Sequence, residues 1–178
     1  EYITVIGEEA FAIPDTEVTI GKYDCTSPNG LQSVKFPKYL ERIEAKAFEY
    51  NNLRNHDANG NVVDTPTATT GENHFLADQK YLTYIGGSAF HGNHLCNVEL
   101  PDTVTEVGNG AFSMNNIYKL KLSENMTVIS AGAFSMNIRM SNITIPNKVT
   151  EIGQTAFAGA RLKSLTIPKS VTKIGRKA

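Results

Sequence analysis

Two histidines and a cysteine are spaced like metal ligands in this sequence. His91 and His94 stand three residues apart, Cys96 follows closely, and His74 precedes them. A zinc site needs three or four such ligands that converge at about 2.0–2.3 Å. Position 91, however, directly follows a recurring phenylalanine, and other residue types fill this position in the other copies. We therefore interpret the histidines as solvent-facing residues, and the sequence predicts no metal and no cofactor.

The other candidates for chemistry are weaker. The segment Asp57-Ala-Asn-Gly-Asn61 has part of a calcium-loop pattern, but Ala68 stands at the twelfth position, where that loop requires a carboxylate. An Asn-Gly turn is the better interpretation. Cys25 has no evident activating base, which a nucleophilic thiol requires. Because the spacing supports no Ser-His-Asp or Cys-His arrangement, we expect that the protein is not an enzyme.

Composition limits the classes of partner. The 178 residues carry a net charge of −1, so no basic excess indicates nucleic-acid binding. No apolar run reaches the roughly 18–20 residues of a membrane helix, so we expect no membrane insertion. The two cysteines, Cys25 and Cys96, belong to different repeat units. A disulfide requires Cα atoms within about 7 Å, and we expect none between them.

A repeated pattern accounts for most of the apolar residues. An Ala-Phe pair recurs, four residues before each alanine stands an isoleucine or valine, and a small residue usually follows that aliphatic residue. Upstream lies an apolar pattern, Leu-x-x-Leu-x-Leu, that usually ends in proline. The last four phenylalanines are 22, 22 and 23 residues apart. The repeated phenylalanines are Phe11, Phe48, Phe90, Phe112, Phe134 and Phe157.

Each part of the repeat predicts a local structure. The alternation in Leu-x-Leu indicates a strand, which the proline ends. The Val-x-x-Ile-Gly stretch is expected to turn the chain, and Gly-x-x-Ala-Phe to form a short helical or 3-10 turn. An asparagine follows in most copies and suits the turn back, because it tolerates the left-handed region and bonds its own backbone. These asparagines are Asn51, Asn93, Asn115 and Asn137, and the fifth copy has Ala160 instead.

One such unit cannot bury its own apolar residues, whereas stacked units can. We therefore predict a leucine-rich-repeat solenoid of about seven coils with a parallel sheet. The consensus Leu-x-x-Leu-x-Leu-Pro-x-x-Val-x-x-Ile-Gly-x-x-Ala-Phe-x-x-Asn resembles the BspA-type, or Treponema pallidum-type, leucine-rich repeat. The resemblance covers about residues 29–53 and 79–178, with a partial copy at 2–11.

The resemblance implies a fold and a role. It implies a right-handed, curved stack with a concave parallel sheet and short strand, 3-10 or helical turns on the convex side. It also implies a secreted or surface-anchored protein, typically bacterial or from a parasitic protist, that often adheres to host matrix proteins or to other cells. The family has no catalytic residues, so the resemblance supplies none to this chain.

Residues 1–178 are predicted to form a single domain that is a fragment of a longer array. Two coils are too long, and their excess falls at about residues 13–28 and 54–75. Insertions in a repeat often lie on a binding face, although drift in tolerant loops explains them as well. The second excess is alternatively a full degenerate coil, but the Leu-x-Leu-Pro signature is missing there.

The outward strand positions are the predicted binding surface. This row is polar and weakly cationic, and solenoids offer such surfaces to protein partners. Its members are Ser33, Lys35, Asn97, Glu99, Lys119, Lys121, Asn142, Thr144, Ser164 and Thr166. The charged members and Asn97 are the candidate contact residues, and Tyr23 and Phe75 of the insertions are candidate apolar anchors.

We therefore expect an extracellular or cell-surface binding module. Its expected partner is a protein, such as a host matrix or cell-surface protein, or a glycan. The alternative is a structural spacer that has no ligand of its own and presents another domain.

Overall fold

Seven two-residue strands end at the repeated isoleucine or valine. The computed structural model describes residues 2–12, 30–56, 62–63 and 74–178. In that part of the chain these strands pair in parallel in the orders β1-β2-β5-β7 and β9-β10-β11. Equivalent residues of successive repeats lie opposite each other, as Ile43 does to Ile85 and Ile85 to Val107. The strands are β1 (Val5–Ile6), β2 (Arg42–Ile43), β5 (Tyr84–Ile85), β7 (Glu106–Val107), β9 (Val128–Ile129), β10 (Glu151–Ile152) and β11 (Lys173–Ile174).

The Leu-x-Leu segments form a second row of parallel pairing. Strands β6 (Asn97–Glu99) and β8 (Lys119–Lys121) pair with Val98 opposite Leu120, and Phe75 forms a parallel bridge to Val98. The predicted parallel pairing is therefore confirmed for these two segments, whereas the Leu-x-Leu segments at 31–36, 140–145 and 162–167 form no strand. The prediction that the Val-x-x-Ile stretch only turns the chain is wrong, because the strands recur there in every repeat. Threonine, valine and isoleucine dominate that stretch, and β-branched side chains favour extended backbone.

The Gly-x-x-Ala-Phe segment consists of turns. The described residues contain no helix, so the helical or 3-10 turn expected at this segment is not observed. His91 donates its N–H to Ser88 within its own turn, at 3.0 Å, but the N–H of Phe90 donates to Ala111 of the next coil, at 2.8 Å. Ser88 also has a φ of 53°. Because alternate N–H groups leave for the neighbouring coil, the i→i−4 bonds of a helix cannot form.

The repeated phenylalanines form a stack through the core. Phe48, Phe90, Phe112 and Phe134 are fully buried, and neighbouring ring centroids lie 5.2–5.7 Å apart. Phe11, which has a coil on one side in this structure, is 51% exposed. Burying one phenylalanine stabilises a fold by roughly 1.5–3 kcal/mol. The stack therefore gives each of these coils an apolar contact with the next one.

The repeated asparagines are also buried, and their side chains join adjacent coils. Oδ1 of Asn115 accepts the N–H of Leu95 at 3.0 Å, and its Nδ2 donates to Phe90 of the preceding coil at 2.8 Å. Equivalent bonds are made by Asn51, Asn93 and Asn137. The left-handed residue is the one before each asparagine, so the prediction that asparagine occupies that conformation is wrong. These left-handed residues are Tyr50, Gly92, Met114 and Met136.

The coil that lacks this asparagine has one extra residue. Ala160 occupies the asparagine position, and the interval from Phe134 to Phe157 is 23 residues instead of 22. In the other coils an asparagine side chain accepts the N–H at the equivalent position. Here the N–H of Met140 donates instead to the backbone carbonyl of Asn137, at 3.0 Å. The extra residue therefore lets the backbone satisfy a donor that a side chain satisfies in the other coils.

The structure describes the two predicted insertions only in part. Residues 13–28, which include Tyr23 and Cys25, lie outside the described residues, as does the segment 57–61 with its predicted Asn-Gly turn. At the second insertion, β3 (Asn55–His56) pairs antiparallel with β4 (Val62–Val63). Leu53 lies in the core before this hairpin, and Phe75 returns the chain to the parallel row.

Close contact between the glycines of adjacent coils provides a test of the stack. A Cβ on Gly108 would lie 2.8 Å from the Cα of Gly87, whereas a Cβ on Gly7 would meet nothing within 4 Å. We expect Gly108→Ala to destabilise the fold by roughly 1–3 kcal/mol through overpacking. The control, Gly7→Ala, should stay within about 0.5 kcal/mol of the original protein. Urea midpoints, followed by circular dichroism, measure both effects, and equal midpoints would contradict this packing.

The asparagine bonds provide a second test. We expect Asn115→Ala to cost about 2 kcal/mol, because it leaves the buried N–H of Leu95 without a partner and removes a hydrogen bond to the carbonyl of Phe90. Asn142→Ala is the matched control, since Asn142 is exposed and should change stability by less than about 0.5 kcal/mol. The free energy of unfolding in urea measures both variants, and a neutral Asn115→Ala would mean that water replaces the side chain.

Candidate functional site

The outward side of the Leu-x-Leu segments forms an open groove, which we call the strand face. It encloses about 840 Å³ and extends from His74 and Glu99, across Lys121, to Thr144 and Thr166. The partly buried side chains of Leu120 and Ile143 form its apolar floor. Leu120 and Ile143 pack against the core, so Lys119, Lys121, Asn142 and Thr144 beside them project outward. Lys119, Lys121, Asn142, Thr144, Ser164 and Thr166 are exposed.

A carboxylate with two basic partners lies at one end of the strand face. Glu99 contacts Nζ of Lys121 at 2.6 Å and Nδ1 of His74 at 2.7 Å. The hydrogen bond from Lys121 lowers the pKa of Glu99; burial opposes this shift, and the charge of Lys121 and the bond to His74 reinforce it. The same bond raises the pKa of Lys121. Glu99 therefore ties the end of the insertion to β6 and β8.

Two predicted contact residues do not project into solvent. Asn97 is 3% exposed, so its assignment to the outward surface is wrong. The insertion covers it, because Asn55 donates to the carbonyl of Asn97 at 2.7 Å and accepts its N–H at 3.1 Å. Phe75 is half-buried, with its ring 5.6 Å from that of Phe36 and 5.2 Å from that of Phe90. Phe75 pairs with Val98 and occupies the equivalent position in its own coil. Its ring therefore packs against the core, and Phe75 is not an exposed anchor. Tyr23 lies outside the described residues.

The histidines at 91 and 94 join coils. Both are half-buried, so the interpretation that they face solvent is wrong. His91 contacts Oγ of Ser113 at 2.5 Å and the hydroxyl of Tyr50 at 3.3 Å, and His94 contacts the amide of Asn116 at 3.2 Å. Within the described residues, no three His, Cys, Asp or Glu side chains are grouped so that they could hold a metal ion.

A second hollow adjoins the strand face at His74. It encloses about 790 Å³, and Lys35, Lys38, Arg54 and His56 line its walls. Lys35 was a candidate from the sequence, whereas the other three were not. The sequence does not show that these residues lie close together. Their placement depends on the pairing of Phe75 with Val98, and the repeat pattern contains no equivalent of that pairing.

A row of threonines was also missed. Hydroxyls of Thr83, Thr105, Thr150 and Thr172 donate to carbonyls of the preceding coil at 3.1–3.4 Å. The signal was present in the sequence, since threonine recurs two residues before the repeated isoleucine or valine. These hydroxyls support the sheet and are not part of the strand face.

Parallel strands at a constant register, a stacked phenylalanine core and an outward polar face define a leucine-rich repeat protein. A family profile described as BspA type leucine rich repeat region matches residues 7–75 and 73–178, with six copies. The chain therefore belongs to the BspA-type leucine-rich repeat family. Leucine-rich repeat proteins are typically non-enzymatic, and leucine-rich repeats generally mediate protein interactions.

One solved structure supports the fold. A leucine-rich repeat protein from Bacteroides ovatus is similar with a TM-score of 0.57 and 20% identity, over 97% of this chain and 43% of that chain. A leucine rich cell surface protein from Faecalibacterium prausnitzii gives a TM-score of 0.46 and 22% identity, over 84% and 48%. The chain thus spans less than half the length of either protein. None of the curated proteins compared with it matches.

A search of the described residues for a long, apolar helix that could cross a membrane finds none.

The carboxylate of Glu99 provides a test of the strand face. We expect its pKa to lie below the ordinary value of 4.5 and to rise toward it in Lys121→Met, which removes the first cause of the shift. Lys119→Met, the control, should leave it in place. Carboxyl-carbon NMR titrations measure all three proteins.

The same shift predicts a pH dependence of stability. Because the folded-state pKa of Glu99 is depressed, its stabilisation is present above the unfolded value and is lost as the pH falls through the folded value. The advantage in urea midpoint over Glu99→Gln should therefore shrink below pH 4.5. An advantage that persists through that range would contradict the contacts described.

Proposed function

We propose that this chain is a cell-surface or secreted binding module that contacts a protein or a glycan through the strand face and the adjoining insertions. The observation that carries the proposal is that the side chains that hold the stack differ from those that line the groove. Inward leucines and phenylalanines, buried asparagines and threonine hydroxyls hold the stack, whereas Asn142, Thr144, Ser164 and Thr166 line an open groove. A row of side chains that the fold does not need is available to a partner.

The proposed architecture is a single domain over residues 1–178, with about seven right-handed coils that curve so that the strand face is concave. A concave face suits a partner that lies across several coils, because neighbouring strands are about 4.8 Å apart and each adds one pair of outward side chains. The BspA-type repeats support an extracellular or surface location and a role in adhesion to host or neighbouring-cell proteins.

Binding is favoured over catalysis by the chemistry of the strand face. Among the described residues that line it, the one carboxylate, Glu99, is held by Lys121 and His74, and hydroxyl and amide side chains fill the other end of the groove. Such side chains make hydrogen bonds and lack the strongly shifted acids and bases that active sites carry. The groove is also long and open, which suits an extended ligand.

An array of extracellular-matrix proteins and glycans tests the proposal. We expect the purified chain to bind at least one array member, and Asn142→Arg with Thr144→Arg to weaken that binding at least about tenfold by filling the groove. Asn109→Arg with Gln154→Arg, at exposed turn positions outside the groove, is the matched control and should change binding less than about twofold. Circular dichroism checks that both variants fold. If no array member binds, the spacer function is favoured. Equal loss of binding in both variants would contradict binding through the strand face.

A further inference from the structure

The second hollow concentrates positive charge. Its described lining includes Lys35, Lys38 and Arg54, together with His56, and one acidic residue, Asp78. The whole chain, in contrast, has 17 lysines and arginines and 18 acids. Among the described residues, the lining of this hollow therefore carries a net positive charge, whereas the chain as a whole is close to neutral. A hollow lined by one sign of charge raises the local concentration of ligands of the opposite sign.

The floor of the hollow is apolar. Val34, Phe36 and Phe75 are partly buried against the core, and Leu76 is buried beside them. The ring centroids of Phe36 and Phe75 are 5.6 Å apart in an edge-to-face contact, so this floor is preformed. A ligand that fits the hollow combines anionic groups for the walls with apolar groups for the floor.

The hollow also contains a hydrogen-bond acceptor that lacks a donor. Gln79 lines it and is 9% exposed, and within the described residues its Oε1 is buried without a hydrogen-bond partner. A buried amide oxygen in this state costs free energy unless a ligand or water donates to it. A backbone N–H of a bound peptide is a donor of the required kind.

We propose that the second hollow binds an extended acidic polypeptide segment, with its carboxylates beside Lys35, Lys38 and Arg54 and its apolar side chains on the floor. The proposal rests on the proposed binding function and names the class of partner. Because His74 is common to both cavities, the segment continues onto the strand face, where Lys119 and Lys121 lie. A sulfated glycan matches the walls but has no apolar side chains for the floor, so a polypeptide fits better.

A fluorescent peptide of alternating glutamate and leucine, followed by anisotropy, tests the proposal on the intact chain. We expect it to bind with an affinity that falls as salt rises, and the same peptide with glutamine for glutamate to bind at least about tenfold more weakly. Lys35→Glu with Lys38→Glu should weaken binding of the acidic peptide at least about tenfold. Lys169→Glu with Lys177→Glu makes the same charge change outside both cavities and should stay within about twofold.

Gln79→Leu separates the acceptor from the charge. It should weaken binding of the acidic peptide but leave the salt dependence of that binding unchanged, because the substitution alters no charge. Equal loss in the two charge-reversal variants would overturn the proposal in favour of non-specific attraction. Tighter binding of a heparin oligosaccharide, lost in the Lys35 and Lys38 variant, would overturn it in favour of a sulfated glycan.

This experiment and the array experiment fail in different ways. If array binding depends on Asn142 and Thr144 while the acidic peptide does not bind, the partner class proposed here is wrong and the binding function stands. If neither the array nor the peptide shows binding, both proposals are overturned.

Discussion

The coils of this protein depend on each other for their backbone hydrogen bonds. The N–H of Phe90 donates to the carbonyl of Ala111 in the next coil, and Phe48, Phe112 and Phe134 repeat that bond with their own neighbours at 2.8–2.9 Å. A segment of about 22 residues, folded as turns and two-residue strands, cannot satisfy its backbone alone. The neighbouring coil is therefore part of the structure of each coil, and the constant register follows from it.

The same dependence explains which residues repeat. Phenylalanine fills the space between coils, and asparagine completes the hydrogen bonds at the turn where the backbone alone cannot. Glycine follows the isoleucine because adjacent coils approach so closely there that a Cβ on Gly86, Gly108, Gly153 or Gly175 would meet the backbone of the preceding coil. The coil with Ala160 departs from the pattern and compensates with one extra residue.

Many residues other than the repeated phenylalanine, asparagine and glycine differ from one coil to the next, and the candidate site consists of such residues. The strand face changes from charged side chains at Glu99, Lys119 and Lys121 to hydroxyl and amide side chains at Asn142 and Thr144. The second insertion adds a different kind of variation. It enters through Asn55, which bonds the backbone of β6, and leaves through His74 and Phe75, so it is attached to the sheet on both sides. The hollow beside it exists because of that attachment.

The sequence by itself determined the stacked-coil fold, the buried phenylalanines and the repeat family. Apolar residues that recur about every 22 residues cannot be buried within one copy, and they form a continuous core when the copies stack as coils. It also placed Lys119 and Lys121 outward, since side chains alternate along a strand. Only the tertiary structure decided which stretch carries the regular strands, that the asparagines bond between coils, and that Asn97 is buried. Those features depend on which groups of neighbouring coils meet. At the second insertion the repeat pattern lapses, so the grouping of Lys35, Lys38, Arg54 and His74 was not readable from spacing.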